Sequence, residues 1–248
     1  MNKSLKADSL PETHPYNSFA IPANTKTLIV GTAPPPRFSL PRPPHAGPKK
    51  GWDADFFYGS GENHLWSYLQ KAASEQIFAD PGTAEAAAEA TENLMRDFLV
   101  RYRIWMRDVL QTYRRRNSHG NSPRDRHIDL TYSATTFQTF LPDIESSQSI
   151  AKIVFTSVQA ADWFFSKSLG TGSDNATNYR QMFAAANKAR KERSCIQKYT
   201  ERFCAINLND RIIKFYVAPS PSGSARRLSE QTCVDIYRRI IFDPCEQT

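Results

Sequence analysis

Three short apolar runs, each followed by a loop and then a helix-forming stretch, constrain this chain more than any other feature. They are Thr27-Leu28-Ile29-Val30, closed by Gly31; Lys152-Ile153-Val154-Phe155-Thr156; and Arg211-Ile212-Ile213-Lys214-Phe215-Tyr216-Val217. Short apolar runs of this kind read as strands of a parallel sheet, buried on both faces. Helices are expected over residues 64–78, 83–103 with Thr83 as a cap, 158–169, 179–203 and 225–242. Ile104 to Leu110 is open between a helix end and a strand. Strands alternating with helices imply an α/β domain, a mainly parallel sheet with helices on both faces. Such sheets receive ligands at the C-terminal ends of their strands. The loops after Val30 (Thr32-Ala33-Pro34-Pro35-Pro36) and after Val217 (Ala218 to Ser224) are therefore expected to share one rim.

At 248 residues and 40% hydrophobic, the chain can build this domain without disulfide or metal staples. Its four cysteines, Cys195, Cys204, Cys233 and Cys245, form no CxxC pair and have no histidine at zinc-finger spacing, so reduced thiols are expected. No metal or nucleotide cofactor is expected. No apolar run approaches the ~20 residues of a membrane span, and the first 19 residues lack the apolar centre of a secretory signal. A soluble intracellular protein is the simplest expectation, cytoplasmic or nuclear, without membrane contact and monomeric. Residues 1–24 read as a loosely ordered arm and 25–248 as one domain.

The formal charge of +7 is unevenly distributed. Residues 96–127 hold nine Arg against three Asp, and residues 180–202 hold seven Lys or Arg against two Glu. Clustered arginine suits phosphate, because its planar fork holds two oxygens; a solvated helix face explains the same charges equally well.

Three segments carry a family resemblance: LIVGTAPPP at 28–36, FFYGSGENHLW at 56–66 and YVAPSPSGSARR at 216–227. In that order, at strand ends, they resemble the uracil-DNA glycosylase superfamily, most closely its hypoxanthine-DNA glycosylase branch. FLVRYRIWMRDVLQTYRRR at 98–116 and KIVFTSVQAADWFF at 152–165 fit the same pattern more weakly. The resemblance implies a single domain around a four-stranded sheet over most of residues 26–242, with insertions near 38–52 and 170–205. Two departures stand out. Ser60-Gly61 replaces the branch's His-Pro, and residues 32–36 lack the Asn or Asp that other branches use to position water.

The resemblance also implies roles, each with a structural alternative. Asn63 matches the motif's asparagine, and its amide offers a donor and an acceptor to a base edge or a water; alternatively it caps the helix that follows. The backbone N–H groups of Gly31, Thr32 and Ala33 could face a base carbonyl, or simply close a strand. Phe57 and Tyr58 are candidates to stack on an extruded base, Phe57 being preferred; one of the two is expected in the core, since neighbours in extended chain face opposite ways. His64 could touch substrate or phosphate. Ser220, Ser222 and Ser224, with Arg226 and Arg227, could hold DNA phosphates before the last helix. Asp125 and Asp129 are expected in ion pairs.

The implied activity is that of a monofunctional DNA glycosylase in base excision repair. It would flip a deaminated base, hypoxanthine or uracil, out of damaged DNA and hydrolyse its glycosidic bond. No lysine is placed for Schiff-base chemistry, so strand cleavage is not expected. Two alternatives remain: a non-catalytic nucleic-acid-binding protein on the same fold, and a glycosidase of that fold acting on an unusual base or on free nucleotides.

Overall fold

The computed structural model describes residues 10–40, 53–76, 84–116, 124–169, 181, 184–185, 188, 194, 196–201, 204–208, 210–222 and 228–243. Its central sheet contains β2 (Thr27–Gly31), β3 (Ile104–Asp108), β6 (Lys152–Phe155), β7 (Cys204–Leu208) and β8 (Arg211–Val217), in the order β3-β2-β6-β8-β7. The first four strands are parallel, and the stretch 104–110 resolves in favour of a strand. Every residue of β2, β3 and β6 is buried, which is why these strands read as continuous rather than alternating apolar runs.

The sheet has five strands where four were expected. The fifth, β7, pairs antiparallel with β8, Leu208 opposite Arg211, and Asp210 before β8 takes φ 61°. The Asn209-Asp210 pair is a short-hairpin signal. It was obscured by the basic run before it, read as helix to residue 203; of that run the described part includes a short helix, Gln197–Thr200.

Helices cover both faces. Phe155 and Phe215 stack at 6.1 Å, and Phe215 meets Phe165 at 5.2 Å, beneath α5 (Val158–Trp163) and its π-helical extension over Phe164–Ser168. Lys152, an odd number of residues from Phe155, points to the opposite face. There its Nζ donates to the Ile240 carbonyl at 2.6 Å, in the π-helical segment Arg238–Phe242 that continues α7 (Glu230–Tyr237). The same face carries α2 (Leu65–Ala73), with Tyr68 packed on Tyr237 at 5.6 Å. Helix α3 (Ala84–Arg101) delivers the chain to β3. Among the described residues no helix is long and apolar enough to cross a membrane.

A second, three-stranded antiparallel sheet joins β1 (Glu12–Thr13), β4 (Leu110–Tyr113) and β5 (Thr136–Phe137). It corrects the expected N-terminal arm. From Leu10 onward that stretch is integral to the domain: Glu12 and His14 are 1% and 2% exposed, and Tyr16 joins the aromatic core. Its polar composition was misleading because its buried polar groups are all partnered (below). Residues 1–9 lie outside the described residues, as do 41–52, 170–180 and Cys195 and Cys245.

Candidate active site

The chain leaves β2 toward β3 on one side and leaves β6 toward β8 on the other. Open α/β sheets bind ligands at such a switch, which here falls over the C-terminal ends of β2 and β6. Gly31 ends β2, Asp108 ends β3, and Thr156 follows β6.

Tyr58 lies across these strand ends. Its hydroxyl lies 3.3 Å from Asp108 Oδ1 and 3.2 Å from Thr156 Oγ1. Burial, and after it the Asp108 charge, push the phenol well above its ordinary pKa, so it remains a neutral donor. A Cβ on Gly31 would overlap both the Tyr58 hydroxyl and Asp108 Oδ1. The strand-end glycine is thus required by the side chains laid across it. Tyr58 holds φ 55°, which costs on the order of 1 kcal/mol for a non-glycine residue. The turn around it is fixed by Ala54 N–H to Gly59 O (2.8 Å), Gly59 N–H to Phe56 O (2.9 Å) and Trp66 Nε1 to Phe57 O (2.8 Å).

Asp108 is the hub. His14 Nδ1 accepts the backbone N–H groups of Tyr16 and Asn17, each at 3.1 Å, which leaves Nε2 as the protonated nitrogen. Nε2 donates to Asp108 Oδ2 at 2.9 Å, and both side chains are buried. Asn17 clamps the same residue's backbone, accepting from Asp108 N at 3.0 Å and donating to Asp108 O at 2.9 Å.

The proline loop after β2 is held from below. Pro34 O accepts Arg115 Nη2 at 3.0 Å, and Arg115 in turn pairs with Glu12 at 3.0 Å, both 1% exposed. Burial raises the Glu12 pKa against the pull of Arg115. Asp125, in a 3₁₀ turn over Asp125–His127, reaches the Thr32 side chain. Burial pushes its carboxyl up to about 6, against the hydrogen bond from Thr32 and the charge of Arg115. The loop carries no carboxylate of its own, yet a carboxylate stands beside it, supplied from more than ninety positions downstream.

The opposite wall is the 60s loop. Arg37, in the short helix α1 (Pro36–Ser39), grips Asp53 through Nε (2.6 Å) and Nη2 (3.1 Å) and also donates to Ser60 Oγ. Asp53 accepts the Gly61 N–H at 2.9 Å. The Ser60-Gly61 departure is therefore a lock: a short hydroxyl and a bare backbone amide meet a buried Arg–Asp pair. Beyond it, Asn63 bridges to Ser222, and His64 N–H donates to Pro221 O at 2.9 Å. Tyr237 pins this late loop from within, donating to Pro219 O at 2.9 Å. The loops after β2 and β8 thus meet through the 60s loop.

Asn63 stands just before α2, and its Oδ1 accepts the N–H of Leu65, the first residue of that helix, at 2.9 Å. Its Nδ2 donates to no described residue. His64 precedes α2 and stacks on Tyr68 at 6.0 Å. Ser220 Oγ accepts the Ser222 N–H at 3.4 Å, and both serines are half-buried. The N–H groups of Thr32 and Ala33 donate to no partner among the described residues. Phe57 is corrected: at 1% exposure, packed on His14 and Tyr16 at 5.5 Å each, it is a core residue, and Tyr58 is the aromatic that lies across the strand ends. Ser224, Arg226 and Arg227 lie outside the described residues.

The arginine-rich segment is also corrected in part. Arg96 pairs with Glu92, Arg101 with Glu75, Arg107 with Asp143, Arg114 with Asp129 and Arg115 with Glu12. Much of its charge is spent inside the molecule. Asp129 sits in the ion pair expected of it, whereas Asp125 turns to Thr32. His14 and Asp108 escaped the sequence reading because they meet across 94 positions with no local motif. Among the described residues no cluster of side chains is suited to hold a metal ion.

No protein-family model and no curated protein matches the chain. Among solved structures, it aligns with the solution NMR structure of a Methanosarcina acetivorans protein provisionally described as a uracil DNA glycosylase, over 89% of this chain and 93% of that one. The two are 18% identical with a TM-score of 0.40, a likeness that carries no argument about activity.

Proposed function

We propose that the chain is a monofunctional DNA N-glycosylase that removes a deaminated base, uracil or hypoxanthine, at the rim above β2 and β6. The observation that carries this reading is the Asp125 carboxyl beside Thr32, at the strand end where sheets of this kind bind ligands. A general base near neutral pH needs a carboxyl raised toward the working pH, and burial does that here.

In the reaction the C1′–N bond breaks and its electron pair leaves with the base. Water oxygen bonds to C1′, and its proton passes to Asp125 and then to solvent or the departed base. The ionised carboxylate also offsets positive charge developing on the sugar. Asn63 Nδ2 and the Thr32 and Ala33 N–H groups supply donors for a base carbonyl as negative charge builds on it. Asn63 Oδ1 already accepts the Leu65 N–H, so Nδ2 is the group that this reading assigns to the base. Tyr58 sets the depth of the pocket, and Ser220 and Ser222 stand at the late loop to meet the DNA backbone. Base excision repair, with damaged DNA as partner, is the corresponding cellular role.

The test is a panel of oligonucleotides, each with one modified base, scored for abasic sites by alkali cleavage. Alkali-labile sites are expected for uracil or hypoxanthine and not for the unmodified duplex. A second reading, a nucleic-acid-binding protein without catalysis, is favoured by one observation: the Tyr58 phenol already occupies the space above Gly31. Retained DNA binding with no abasic sites from any base would establish that reading instead.

A further inference from the structure

Beyond β4 the chain continues as one arm of a two-stranded ribbon. Arg115 bridges to Ile128 in the antiparallel sense, the Arg116 N–H donates to His127 O at 2.8 Å, and the Asp129 N–H donates to Arg114 O at 2.8 Å. Neighbours along such a ribbon face opposite sides, and residues opposite one another share a side. The inner side carries Arg115 and Ile128, both buried, with Arg115 committed to Glu12 and Pro34 O. The outer side carries Arg114, Arg116, His127 and Asp129. Arg114 is spent on Asp129 at 3.1 Å and lies over the Tyr132 ring at 4.4 Å. Arg116 is exposed and pairs with no acidic side chain among the described residues. Arg126, in the 3₁₀ turn that enters the second arm, is exposed and likewise lacks an acidic partner among them. Its Nε meets His127 Nε2 at 3.2 Å, which sets its guanidinium beside the residue opposite Arg116.

Elsewhere in this segment an acid stands beside each of five arginines. Here two exposed guanidinium groups share one hydrogen-bonded ribbon without one, and each can hold two oxygens of a phosphodiester. Their position adds to the argument. The turn that carries Arg126 also sends the Asp125 side chain to Thr32, so the ribbon borders the end of β2. The ribbon follows β3 and the loop of Ser220 and Ser222 follows β8, the strands on either side of the β2-β6 pair. A nucleic-acid strand held at both places crosses the ends of β2 and β6, and its phosphates fall on the two flanks. We propose that the outer side of this ribbon, through Arg116 and Arg126, grips the backbone phosphates of DNA on the β3 flank of the site. The proposal rests on DNA being the partner in the reading above, and not on catalysis.

Fluorescence anisotropy of the full chain on a labelled, uracil-containing duplex tests it, over roughly 50–200 mM salt. Arg116→Gln combined with Arg126→Gln should lower the slope of log affinity against log salt by about 1.8, since each lost phosphate contact removes about 0.9, and weaken binding at least roughly tenfold. The melting temperature should not move, because both side chains are exposed. Arg116→Lys with Arg126→Lys should keep most of the slope, because a point charge still displaces counterions. Lys71→Gln with Arg101→Gln removes the same charge from the exposed pairs with Glu230 and Glu75, and should leave the slope unchanged. Any of four results would overturn the proposal: no binding to DNA, an unchanged slope in the Arg116 and Arg126 variant, an equal loss in the Lys71 and Arg101 variant, or a loss seen on phosphatidylserine vesicles and not on DNA. The abasic-site panel reads catalysis separately. A reduced slope with no abasic sites keeps the ribbon and removes the glycosylase; abasic sites with an unchanged slope do the reverse.

Discussion

At the scale of single residues, Asp125 separates catalysis from architecture because the two make opposite demands on it. Its carboxyl is raised from 3.8 to about 6, so the folded protein holds this proton more tightly than the unfolded chain does. Its contribution to stability is complete below about pH 4 and is lost as pH rises through about 6. Asp125→Asn should therefore stabilise the fold at pH 8, by about 3 kcal/mol at most, and raise its melting temperature there, while leaving it little changed at pH 4. If Asp125 is the base, the same variant should lose about 100- to 1000-fold in single-turnover rate, and the wild-type rate should rise with pH through about 6. A variant both stabilised and fully active would remove Asp125 from the mechanism.

Asn63 carries a companion prediction. Asn63→Asp keeps the acceptor that caps α2 and removes the donor; Asn63→Ala removes both. The cap is worth about 1 kcal/mol. Stability should therefore fall in Ala and hold in Asp, while the excision rate should fall in both. An active Asp variant would show the residue to be a cap alone. The motif made Asn63 legible in the sequence, and the structure engages its oxygen with the Leu65 N–H. Asp125 and Asp108 were not legible, because their value comes from where the fold carries them. A carboxylate in a charged loop looks like any other until that loop is laid beside Thr32.

At the scale of elements, the parallel strands were legible because burial on both faces leaves a one-dimensional trace, an unbroken apolar run. The N-terminal segment leaves no such trace. Its side chains are polar because they satisfy one another: Glu12 with Arg115, His14 with Asp108, Asn17 with the backbone of β3. The prediction at this scale is a truncation. Removing residues 1–24 should strip the partners from buried Arg115 and Asp108. Uncompensated burial of a charge costs about 3–5 kcal/mol. For a domain of this size that lowers the melting temperature by roughly 10 °C, read by circular dichroism. A 25–248 fragment as stable as the full chain would return this segment to the status of an arm.

At the scale of the whole molecule, the net charge of +7 overstates the surface available to a polyanion. Five arginines of the 96–127 segment are committed to acidic partners within the fold. Each phosphate contact contributes about 0.9 to the slope of log affinity against log salt on duplex DNA. The slope should accordingly be shallow for so basic a segment, on the order of 3–5 rather than 9. A slope near 9, measured by fluorescence anisotropy from 50 to 200 mM salt, would mean that these pairs open on DNA.

The hydrogen bond between His14 and Asp108 also sets an order of events during synthesis. The first of these residues leaves the ribosome long before the second, and β1 has no strand to join until β4 has emerged. The site over the ends of β2 and β6 therefore cannot assume its final form on a half-made chain. A fusion partner joined close to Leu10 would compete for the groove that this segment must later fill, whereas one joined beyond Asp243 would not.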